Sequence, residues 1–395
     1  MTTEDVGQLT TGEVTTGGGL SSDSSRQWAR TMRGHRATSG SDICFAHADP
    51  APVVGAIHRG GREEREAIED ATMASGATRA SGAGNRLEGE EADPTRTCFE
   101  RDRDRILHST AFRRLAGKTQ VFVFPDDHQR TRLTHALEVA QIAVAMARSC
   151  RLNLALTEAI ALGHDCGHGP GGHPSEDALS PYVAGGYDHA VWGADVVLSP
   201  LNLCVETLDG VRNHSWSRPA PATPEGEVVS WADRIAYVCH DWEDAVSAGI
   251  VTSDMLPELV LDRCGRTRGG QLGAFIDAVV DTVTTTGYIG MSGAMADALA
   301  EFRAANYDRV YMRPASLAQA SVVIAMLRSL VEHFTDRPHG IVGSEAGTGV
   351  VAGSDEAMRA AVTYVAGMTD RFACLTAVSK LGWDTSRLPH SVGTT

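Results

Sequence analysis

Apolar residues recur at helical intervals through most of the chain after about residue 93. The clearest pattern spans residues 131–148, where apolar positions three or four apart line one side of a predicted helix. This stripe consists of Leu133, Leu137, Ala140, Val144 and Ala147. Similar patterns predict helices over 154–162, 191–198 and 227–249, and further helices between 257 and about 381. Few segments alternate as a strand would, so the pattern predicts an all-α fold.

The first 93 residues lack this periodicity. They are rich in Gly, Ser, Thr and charged residues, and apart from a short helix near 63–73 we predict that residues 1–93 are a disordered N-terminal extension. Residues 94–390 would form the folded domain. At its start, residues 92–122 place apolar side chains at helical spacing among Arg and Asp, which predicts an amphipathic helix with a basic face. The segment KTQVFVF, residues 118–124, predicts a short strand or an extended turn.

Composition narrows the class of protein. Apolar residues make up 42% of the 395-residue chain, which is enough for a sizeable core. The excess of 50 acidic over 35 basic residues disfavours nucleic acid or a membrane surface as the main partner, although single-stranded nucleic acid is left open. Eight cysteines form no CxxC pair, and there is neither a leader-like N-terminus nor a run of about 18 apolar residues. We therefore predict a cytoplasmic protein with buried thiols.

The candidate chemistry is concentrated in GHDCGHGPGGHPSE, residues 163–176. His164 and Asp165 follow an apolar helical pattern, so they lie at a helix end. There one backbone turn offers an imidazole and a carboxylate to the same cation. His168, His173 and Glu176 follow in a glycine-rich turn and at the start of the next element.

A second polar pattern lies on the predicted helix 227–249. Asp233, Tyr237 and Asp241 are four residues apart, so they project from one face. An acidic stripe of this kind is often only a solvated helix face. Apolar residues flank Asp233 on both sides, however, which favours an inward-facing carboxylate that needs a cation or a donor.

Four side chains form a candidate metal site. His135, beside the apolar stripe of 131–148, joins His164, Asp165 and Asp233, because a helical bundle can bring such groups together on one interior cation. For a single histidine a structural role would be the better interpretation. Two imidazoles and two carboxylates suit Mn²⁺, Fe²⁺, Co²⁺ or Zn²⁺, and Mg²⁺ less naturally. We predict a divalent cofactor, Mn²⁺ or Mg²⁺ first, with Fe²⁺, Co²⁺ and Zn²⁺ as alternatives.

These residues and their surroundings resemble a known family. H…HD…D with this spacing looks like the HD-domain phosphohydrolases, and six ordered segments narrow the resemblance to the deoxyguanosinetriphosphate triphosphohydrolase (dGTPase) family over about residues 94–382. The segments are RDRDRILHSTAFRRLAGKTQVF, RTRLTHALEVAQIA, EAIALGHDCGHGPGGHPSE, GGYDHAVWGADVV, WADRIAYVCHD and YVAGMTDRFA. The resemblance implies an all-α HD fold. It implies a reaction that cuts a deoxynucleoside triphosphate between the α-phosphorus and the 5′ oxygen, giving deoxynucleoside and inorganic triphosphate. It also implies a homo-oligomer that takes nucleotides as substrates and effectors.

Carried onto this sequence, the resemblance implies roles for individual residues. The metal ligands match His135, His164, Asp165 and Asp233. His173 matches the catalytic histidine, Glu176 the glutamate that supports it, and His168 a further catalytic-site histidine near the α-phosphate. Tyr237 and Asp241 match positions that contact the deoxyribose.

The triphosphate tail of such a substrate needs cations. Four candidates precede the first proposed metal ligand, His135, in the sequence. They are Arg113, Arg114, Lys118 and Arg132. An ordinary solvated basic helix shows the same pattern. Gln120 is a candidate for a hydrogen bond to the sugar, and Tyr237 for filling the space of a 2′ hydroxyl, although core packing explains the tyrosine equally well.

The sequence departs from the family pattern in the loop after the HD pair. Cys166, Gly169 and Gly171 stand where Leu, Pro and Phe are usual, and Pro174 and Ser175 precede the glutamate. The loop therefore lacks its aromatic residue, and the preferred base is left open.

Two alternative functions follow from the same residues. Another HD-type nucleotide phosphohydrolase or phosphodiesterase would be expected to carry additional ligands for a second metal, and an alarmone hydrolase would show HDxxED, which is absent. A catalytically weak nucleotide-sensing regulator would keep the pocket but would not need the histidine–glutamate pair.

Overall fold

Helices account for nearly all the regular structure of the residues that the computed structural model describes, which are 22–32, 34–36, 42–47, 54–125, 127–341 and 349–389. The chain divides into two units, residues 1–59 and 60–395. The described part of the first unit contains helix α1 (Ser22–Thr31) and two short antiparallel strands, β1 (His35–Arg36) and β2 (Cys44–Phe45).

The second unit carries the remaining helices of the described chain. They are α2 (Arg62–Thr72), α3 (Cys98–His108), α4 (Thr110–Arg114), α5 (Arg132–Ser149), α6 (Leu154–Gly163), α7 (Pro174–Leu179), α8 (His189–Trp192), α9 (Val205–Asn213), α10 (Pro224–Ser247), α11 (Glu258–Cys264), α12 (Arg268–Thr286), α13 (Gly293–Asn306), α14 (Pro314–Asp336), α15 (Asp355–Ala366) and α16 (Asp370–Leu381). The predicted all-α fold is confirmed.

Helices α5, α6 and α10 pack against one another. The HD pair, His164 and Asp165, follows directly after α6. The contact surfaces are apolar and fully buried, as at Val139, Ile160 and Ala232. Burying a side chain of valine or isoleucine size contributes about 1.5–3 kcal/mol, so this three-helix contact is a rigid base for polar groups. A second apolar core lies among α7, α14, α15 and α16.

Helix α6 ends where the HD pair begins. Its first turn is capped by Asn153, whose side-chain oxygen accepts from the Leu156 amide, and its last residue is Gly163. A Cβ on Gly163 would lie only 3.1–3.3 Å from side chains of α9, α3 and the turn before α9, so glycine permits this close packing. His164 and Asp165 are thereby held at a helix end, as predicted.

The buried face of α5 differs from the predicted stripe. Leu137 is 46% exposed, whereas Val139, Ile142 and Met146 are buried. The helix packs against both α6 and α10. The buried part of its surface is therefore wider than a single apolar stripe, and it includes His135.

The amphipathic segment 92–122 forms two helices. Ser109 ends α3 and caps α4, because its hydroxyl accepts from the Phe112 amide. The segment predicted as strand or turn is bent, and among the described residues its only ladder contact is an isolated bridge between Thr119 and Thr131. The helix predicted over 191–198 begins earlier, as α8, and continues as a π-helical turn over Gly193–Val197.

The folded unit begins earlier than the predicted boundary at residue 94. It starts at Gly60, and residues between 60 and 93 are tied to the domain by buried polar contacts. Arg86 pairs with buried Asp102 at 2.6 Å, and Thr78 donates from its amide and hydroxyl to buried Glu225. The short helix predicted near 63–73 is α2. Most of residues 1–59, including 1–21, lie outside the described residues, and their disorder stays a prediction.

Helix α14 is, among the described residues, the one helix long and apolar enough to cross a membrane by length and composition alone. No such run was expected from the sequence. Val323, Leu327 and Leu330 of α14 are buried in the second apolar core, and 28% of the apolar window of the helix is buried.

Candidate active site

The four predicted metal ligands converge from three helices. The Nε2 atom of His135 lies 3.0 Å from Asp233 Oδ1 and 4.0 Å from Asp165 Oδ2. The Nε2 atom of His164 lies 3.5 Å from Asp165 Oδ1 and 3.6 Å from Asp233 Oδ1. Ligands that sit about 2.0–2.2 Å from one ion are about 3–4 Å from each other. The ligand atoms of His135, His164 and Asp233 all lie within 4.8 Å of one another, which fits a shared divalent ion, and Asp165 belongs to an adjoining group with His164.

The orientation of His164 supports the same interpretation. Its Nδ1 donates to the Ala161 carbonyl at 2.7 Å, which leaves the Nε2 lone pair directed at the two carboxylates. That buried Nε2 has no hydrogen-bond partner, and neither has the buried Nδ1 of His135. A cation among the ligands would satisfy the first of these nitrogens.

The electrostatics of the cluster favour a cation. Burial opposes the charged form of His164, but Asp165 and Asp233 outweigh it and raise its pKa to about 9. Burial also opposes the ionised form of Asp165, yet Arg132 and His164 hold its pKa well below the ordinary value. The two carboxylates therefore remain charged and attract a proton or a metal ion, which compete for the same site.

A second group of histidines adjoins the ligands. His168 stacks on His189 with ring centroids 3.7 Å apart, and the Nε2 of His189 lies 3.3 Å from that of His214. The Nδ1 of His214 donates to the Val211 carbonyl at 2.8 Å, so its Nε2 also faces the cluster. Burial lowers the pKa of His168 well below its ordinary value and that of His214 to about 3, so both are neutral at neutral pH.

The predicted pair of His173 and Glu176 does not form. Glu176 instead accepts from His189, with Oε1 2.5 Å from Nδ1 and 3.0 Å from the backbone amide. Glu176 lies in the first turn of α7, and both the ring and the backbone amide of His189, at the start of α8, compete for its carboxylate. His173 projects into the cavity instead, where desolvation and the charge of Arg132 lower its pKa to about 4.

A cavity of about 950 Å³ opens over both groups. Four of the seven predicted substrate-binding residues line it, namely Gln120, Arg132, Tyr237 and Asp241. Arg132 is buried and binds Asp165 through one guanidinium nitrogen at 2.8 Å, while its Nε and its other terminal nitrogen have no partner. It can therefore hold a metal ligand and also donate to a substrate oxygen.

The far wall of the cavity carries polar groups suited to a sugar. Asp241 accepts from Tyr311, and its second oxygen has no partner. Burial raises the pKa of Asp241 to about 8. The side-chain oxygen of Gln120 is also buried without a partner, and Arg234 donates to the Tyr237 hydroxyl at 2.6 Å.

Comparison with known proteins agrees with this geometry. The family model described as the HD domain matches residues 132–238, and the phosphohydrolase-associated domain matches residues 289–377. A deoxyguanosinetriphosphate triphosphohydrolase-like protein of Caldanaerobacter subterraneus subsp. tengcongensis is 38% identical over 321 residues, covering 80% of this chain and 94% of the relative. Proteins of the same name from Desulfatibacillum aliphaticivorans and Clostridium perfringens strain 13 are 38% and 36% identical, covering 74% and 72% of this chain and 89% and 86% of theirs.

The chain belongs to the dGTPase-like family of HD-domain phosphohydrolases. The resemblance seen in the sequence is thus confirmed. The HD domain and the His/Asp clusters together give this dGTPase-like protein a site able to hold a divalent metal.

Three predicted substrate contacts of the dGTPase-like chain lie outside the cavity. Arg113 and Arg114 are exposed, because Phe112 and Leu115 take the inward side of this segment, and Arg113 donates to the His108 carbonyl. Lys118 is buried and donates to the carbonyls of His168 and Ala366. It therefore holds the loop that follows the HD pair, called here the HD loop, and does not line the cavity in which a phosphate would bind.

The HD loop of this family member is held by a second charged group. Asp370 accepts from the Gly171 amide at 2.8 Å and from the Thr119 amide at 2.9 Å and hydroxyl at 2.5 Å. Thr119 and Gly171 both line the cavity. Asp370 and Lys118 therefore fix the part of the loop that faces a substrate.

Several residues that line the cavity of the dGTPase-like site were not predicted from the sequence. They are His189, His214, Arg234, Arg303, Tyr307, Tyr311 and Arg313. One sequence pattern could have identified three of these residues. Arg303, Tyr307 and Tyr311 are four residues apart, the same spacing that drew attention to Asp233, Tyr237 and Asp241. His189 and His214 gave no comparable signal, since each is an isolated histidine in a loop or turn sequence.

Proposed function

We propose that this chain is a metal-dependent deoxynucleoside triphosphate triphosphohydrolase that releases deoxynucleoside and inorganic triphosphate. The observation that carries the proposal is the convergence of His135, His164, Asp165 and Asp233, of which all but His164 line a cavity that also has arginines in its walls. The names of the relatives support the substrate class. The base preference is not part of the proposal.

The position of each residue in the cavity sets its role in the proposed reaction. A divalent ion held by the four ligands would supply stabilisation of phosphoryl charge and activate the attacking water. Arg132 holds Asp165 and offers its free N–H groups to the α-phosphate. Arg234 and Arg303, on the cavity wall, bind the tail, since guanidinium groups suit phosphate oxygens.

His173 is the proton carrier in this proposal. Its side chain is exposed to the cavity, and it is neutral in the free protein. A negatively charged phosphate beside it would raise its pKa, which allows it to deliver a proton to the leaving 5′ oxygen. Glu176 acts on His189 instead, and orients that ring against His168. His168 and His189 then position the α-phosphate.

The deoxyribose would lie against the opposite wall. The unpartnered oxygens of Gln120 and Asp241 are suited to the 3′ hydroxyl, and Tyr237 and Tyr311 close the space on that side. A 2′ hydroxyl would need room and a partner there, so the wall favours deoxynucleotides.

A product assay tests the proposal. The full chain is incubated with Mn²⁺ and each of the four deoxynucleoside triphosphates, and inorganic triphosphate, pyrophosphate and phosphate are separated by ion chromatography. We expect triphosphate, and we expect His173→Ala to lose most of the turnover while retaining its metal. Pyrophosphate or phosphate as the product would refute the reaction, and nucleotide binding with no product would indicate a sensor.

One observation favours the alternative of a phosphodiesterase. His168, His189 and Asp165 form a second group of ligand atoms within 4.8 Å of one another, and His214 is 3.3 Å from His189. Such a group supplies the additional ligands that a two-metal enzyme needs. Metal analysis giving two ions per chain, together with cleavage of cyclic or linear dinucleotides, would favour this function. One ion per chain and triphosphate release would favour the triphosphohydrolase.

We also propose, on the family resemblance alone, a cytoplasmic homo-oligomer with nucleotide effectors.

A further inference from the structure

A second chamber opens beside the catalytic cavity. Its volume is about 620 Å³, within the range of roughly 300–1,000 Å³ usual for small-molecule sites. The two spaces share the residues Trp216, Arg234, Arg303 and Tyr307. The remaining walls of the second chamber are Trp231, Ala296, Leu299, Ala300, Ala304 and Asp308. The second chamber is therefore continuous with the first along an aromatic and cationic boundary.

The chamber is lined by tryptophan rings. Trp216 and Trp231 meet edge to face, with centroids 4.8 Å apart and planes at 76°. Trp216 is 50% exposed, so a large aromatic surface remains uncovered. Helix α13 adds Ala296, Leu299, Ala300 and Ala304 to the lining, so this part of the wall is apolar. This combination suits a planar ring, which gains stacking energy against an aromatic face.

The boundary between the two spaces carries unpaired arginines. The guanidinium of Arg234 lies 4.3 Å from the Trp216 ring centroid, and that of Arg303 lies 5.2 Å from the Tyr307 ring centroid. Neither arginine forms an ion pair with a carboxylate in the part of the chain that the structure describes, and Arg234 donates to the Tyr237 hydroxyl. Because each keeps its charge and most of its donors, the boundary is suited to bridging phosphates.

We propose that this chamber binds a nucleobase whose phosphates lie against Arg234 and Arg303. The base would stack on the tryptophans. Beyond the shared boundary the lining is apolar except for Asp308 and the indole of Trp231, so stacking would contribute more than hydrogen bonds to the base, and purines would bind more tightly than pyrimidines because they stack over a larger area. Because Arg234 and Arg303 also hold the tail of the nucleotide in the first space, two sources can supply such a group: the far end of a dinucleoside polyphosphate whose single phosphate chain spans both spaces, or a separate nucleotide that uses the remaining donors of the same two arginines. The proposal rests on the proposed function only for the nucleotide in the first space.

The test is equilibrium dialysis of the full chain in EDTA, which prevents turnover, with dATP or diadenosine tetraphosphate as the probe. A separate nucleotide predicts two dATP molecules per chain. A spanning ligand predicts one diadenosine tetraphosphate per chain, bound at least about 10-fold more tightly than dATP, a difference of about 1.4 kcal/mol.

Two variants of α13 make the test specific. Ala300→Phe fills the chamber, whereas Ala294→Phe adds the same ring at an exposed position outside it. We expect Ala300→Phe to lose the second dATP, or the 10-fold advantage of the dinucleotide, and Ala294→Phe to keep it. Trp231→Leu, which touches only the second chamber, should show the same loss if Ala300→Phe does not fold.

Equal binding by wild type, Ala300→Phe and Trp231→Leu would overturn the proposal, as would one dATP per chain with no preference for the dinucleotide. Triphosphate release is measured separately with Mn²⁺. Loss of binding in the chamber variants with no triphosphate from wild type would refute the proposed function and leave the chamber proposal supported.

Discussion

Asp233 is the proposed metal ligand most distant in sequence from the HD pair, and its place shows how single residues decide the chemistry. It is carried by α10, and its Oδ1 approaches both His135 and His164. Burial opposes its charge, but the hydrogen bond from His135 and the nearby charge of His164 hold its pKa well below the ordinary value. It is therefore an anion at neutral pH, ready for a cation.

Removing this ligand should abolish metal binding. We expect Asp233→Asn to bind Mn²⁺ at least about 100-fold more weakly and to lose turnover, because loss even of groups behind a ligand costs about 10–100-fold. The control is Asp277→Asn on α12, an exposed carboxylate far from the ligands in sequence. Metal content by mass spectrometry and melting by circular dichroism check the result. Unchanged Mn²⁺ affinity in Asp233→Asn would refute the ligand set.

Asp241 predicts a pH effect on stability. Its folded-state pKa of about 8 exceeds the ordinary value of 3.8, because the carboxyl is buried. The folded chain therefore binds more protons than the unfolded chain between about pH 4 and 8, so this group stabilises less as pH rises through that window.

Asp241→Asn removes the titration but keeps an acceptor for Tyr311. We expect its Tm relative to wild type to rise by at least about 2 °C between pH 5 and 8, since about 1 kcal/mol shifts Tm by ~2–4 °C in a domain of this size class. Asp262→Asn, at an exposed site of α11, should show no such trend. A Tm difference for Asp241→Asn that is constant with pH would contradict the assignment.

Gly171 explains one departure from the family pattern. It has φ +76°, and a Cβ there would lie 2.5 Å from a methyl group of Val323 on α14. We expect Gly171→Ala to destabilise the protein by about 1–2 kcal/mol or more, from the backbone conformation alone. Gly273→Ala, in the interior of α12 with open space, should be neutral or stabilising. Thermal melting compares the two, and equal Tm changes would show that Val323 and the backbone do not constrain this position.

At the scale of elements, the HD loop is held between α16 and the segment before α5. Asp370 at the start of α16 accepts three hydrogen bonds from Thr119 and Gly171, and Lys118 reaches the loop from the other side. Burial lowers the pKa of Lys118 to about 8. Neither residue meets a substrate, so each acts by positioning the loop.

Asp370→Asn should loosen this loop without removing the metal. The amide group would face a backbone N–H in place of an acceptor, which costs about 1–3 kcal/mol. We expect a lower Tm and lower kcat with wild-type Mn²⁺ content. Asp355→Asn, exposed in the first turn of α15, is the control and should retain wild-type kcat. Loss of Mn²⁺ together with activity in Asp370→Asn would instead indicate general disruption of the site.

At the scale of the whole molecule, the segment 60–93 is part of the domain. Arg86 and Asp102 are almost fully buried as a pair, and breaking such a pair costs about 3–5 kcal/mol. We expect a chain beginning at Gly60 to unfold cooperatively and one beginning at Pro94 to be strongly destabilised or unfolded. Arg86→Met in the longer chain should reproduce part of the loss. Calorimetry of the chains that begin at Gly60 and at Pro94 checks this. Equal Tm values would show that the domain begins at residue 94.

The helices of the domain could be predicted because their signals are local. Apolar spacing in 131–148 and 154–162 gave α5 and α6 nearly to the residue, and α10 was found within a few residues of its ends. The buried face of α5 could not be predicted in the same way. Which side of a helix is covered depends on how many neighbours it has, and α5 has two large ones.

The sequence by itself determined the fold class, the family and the four residues proposed as metal ligands, since these follow from helical periodicity and from a motif whose residue types and spacing are specific. Only the tertiary structure decided which groups meet around them. Glu176 binds His189 in place of His173, Lys118 supports a loop, and Arg303 reaches the cavity from α13. Contacts of this kind join residues far apart in sequence, and their choice depends on where helix ends and backbone turns direct each side chain.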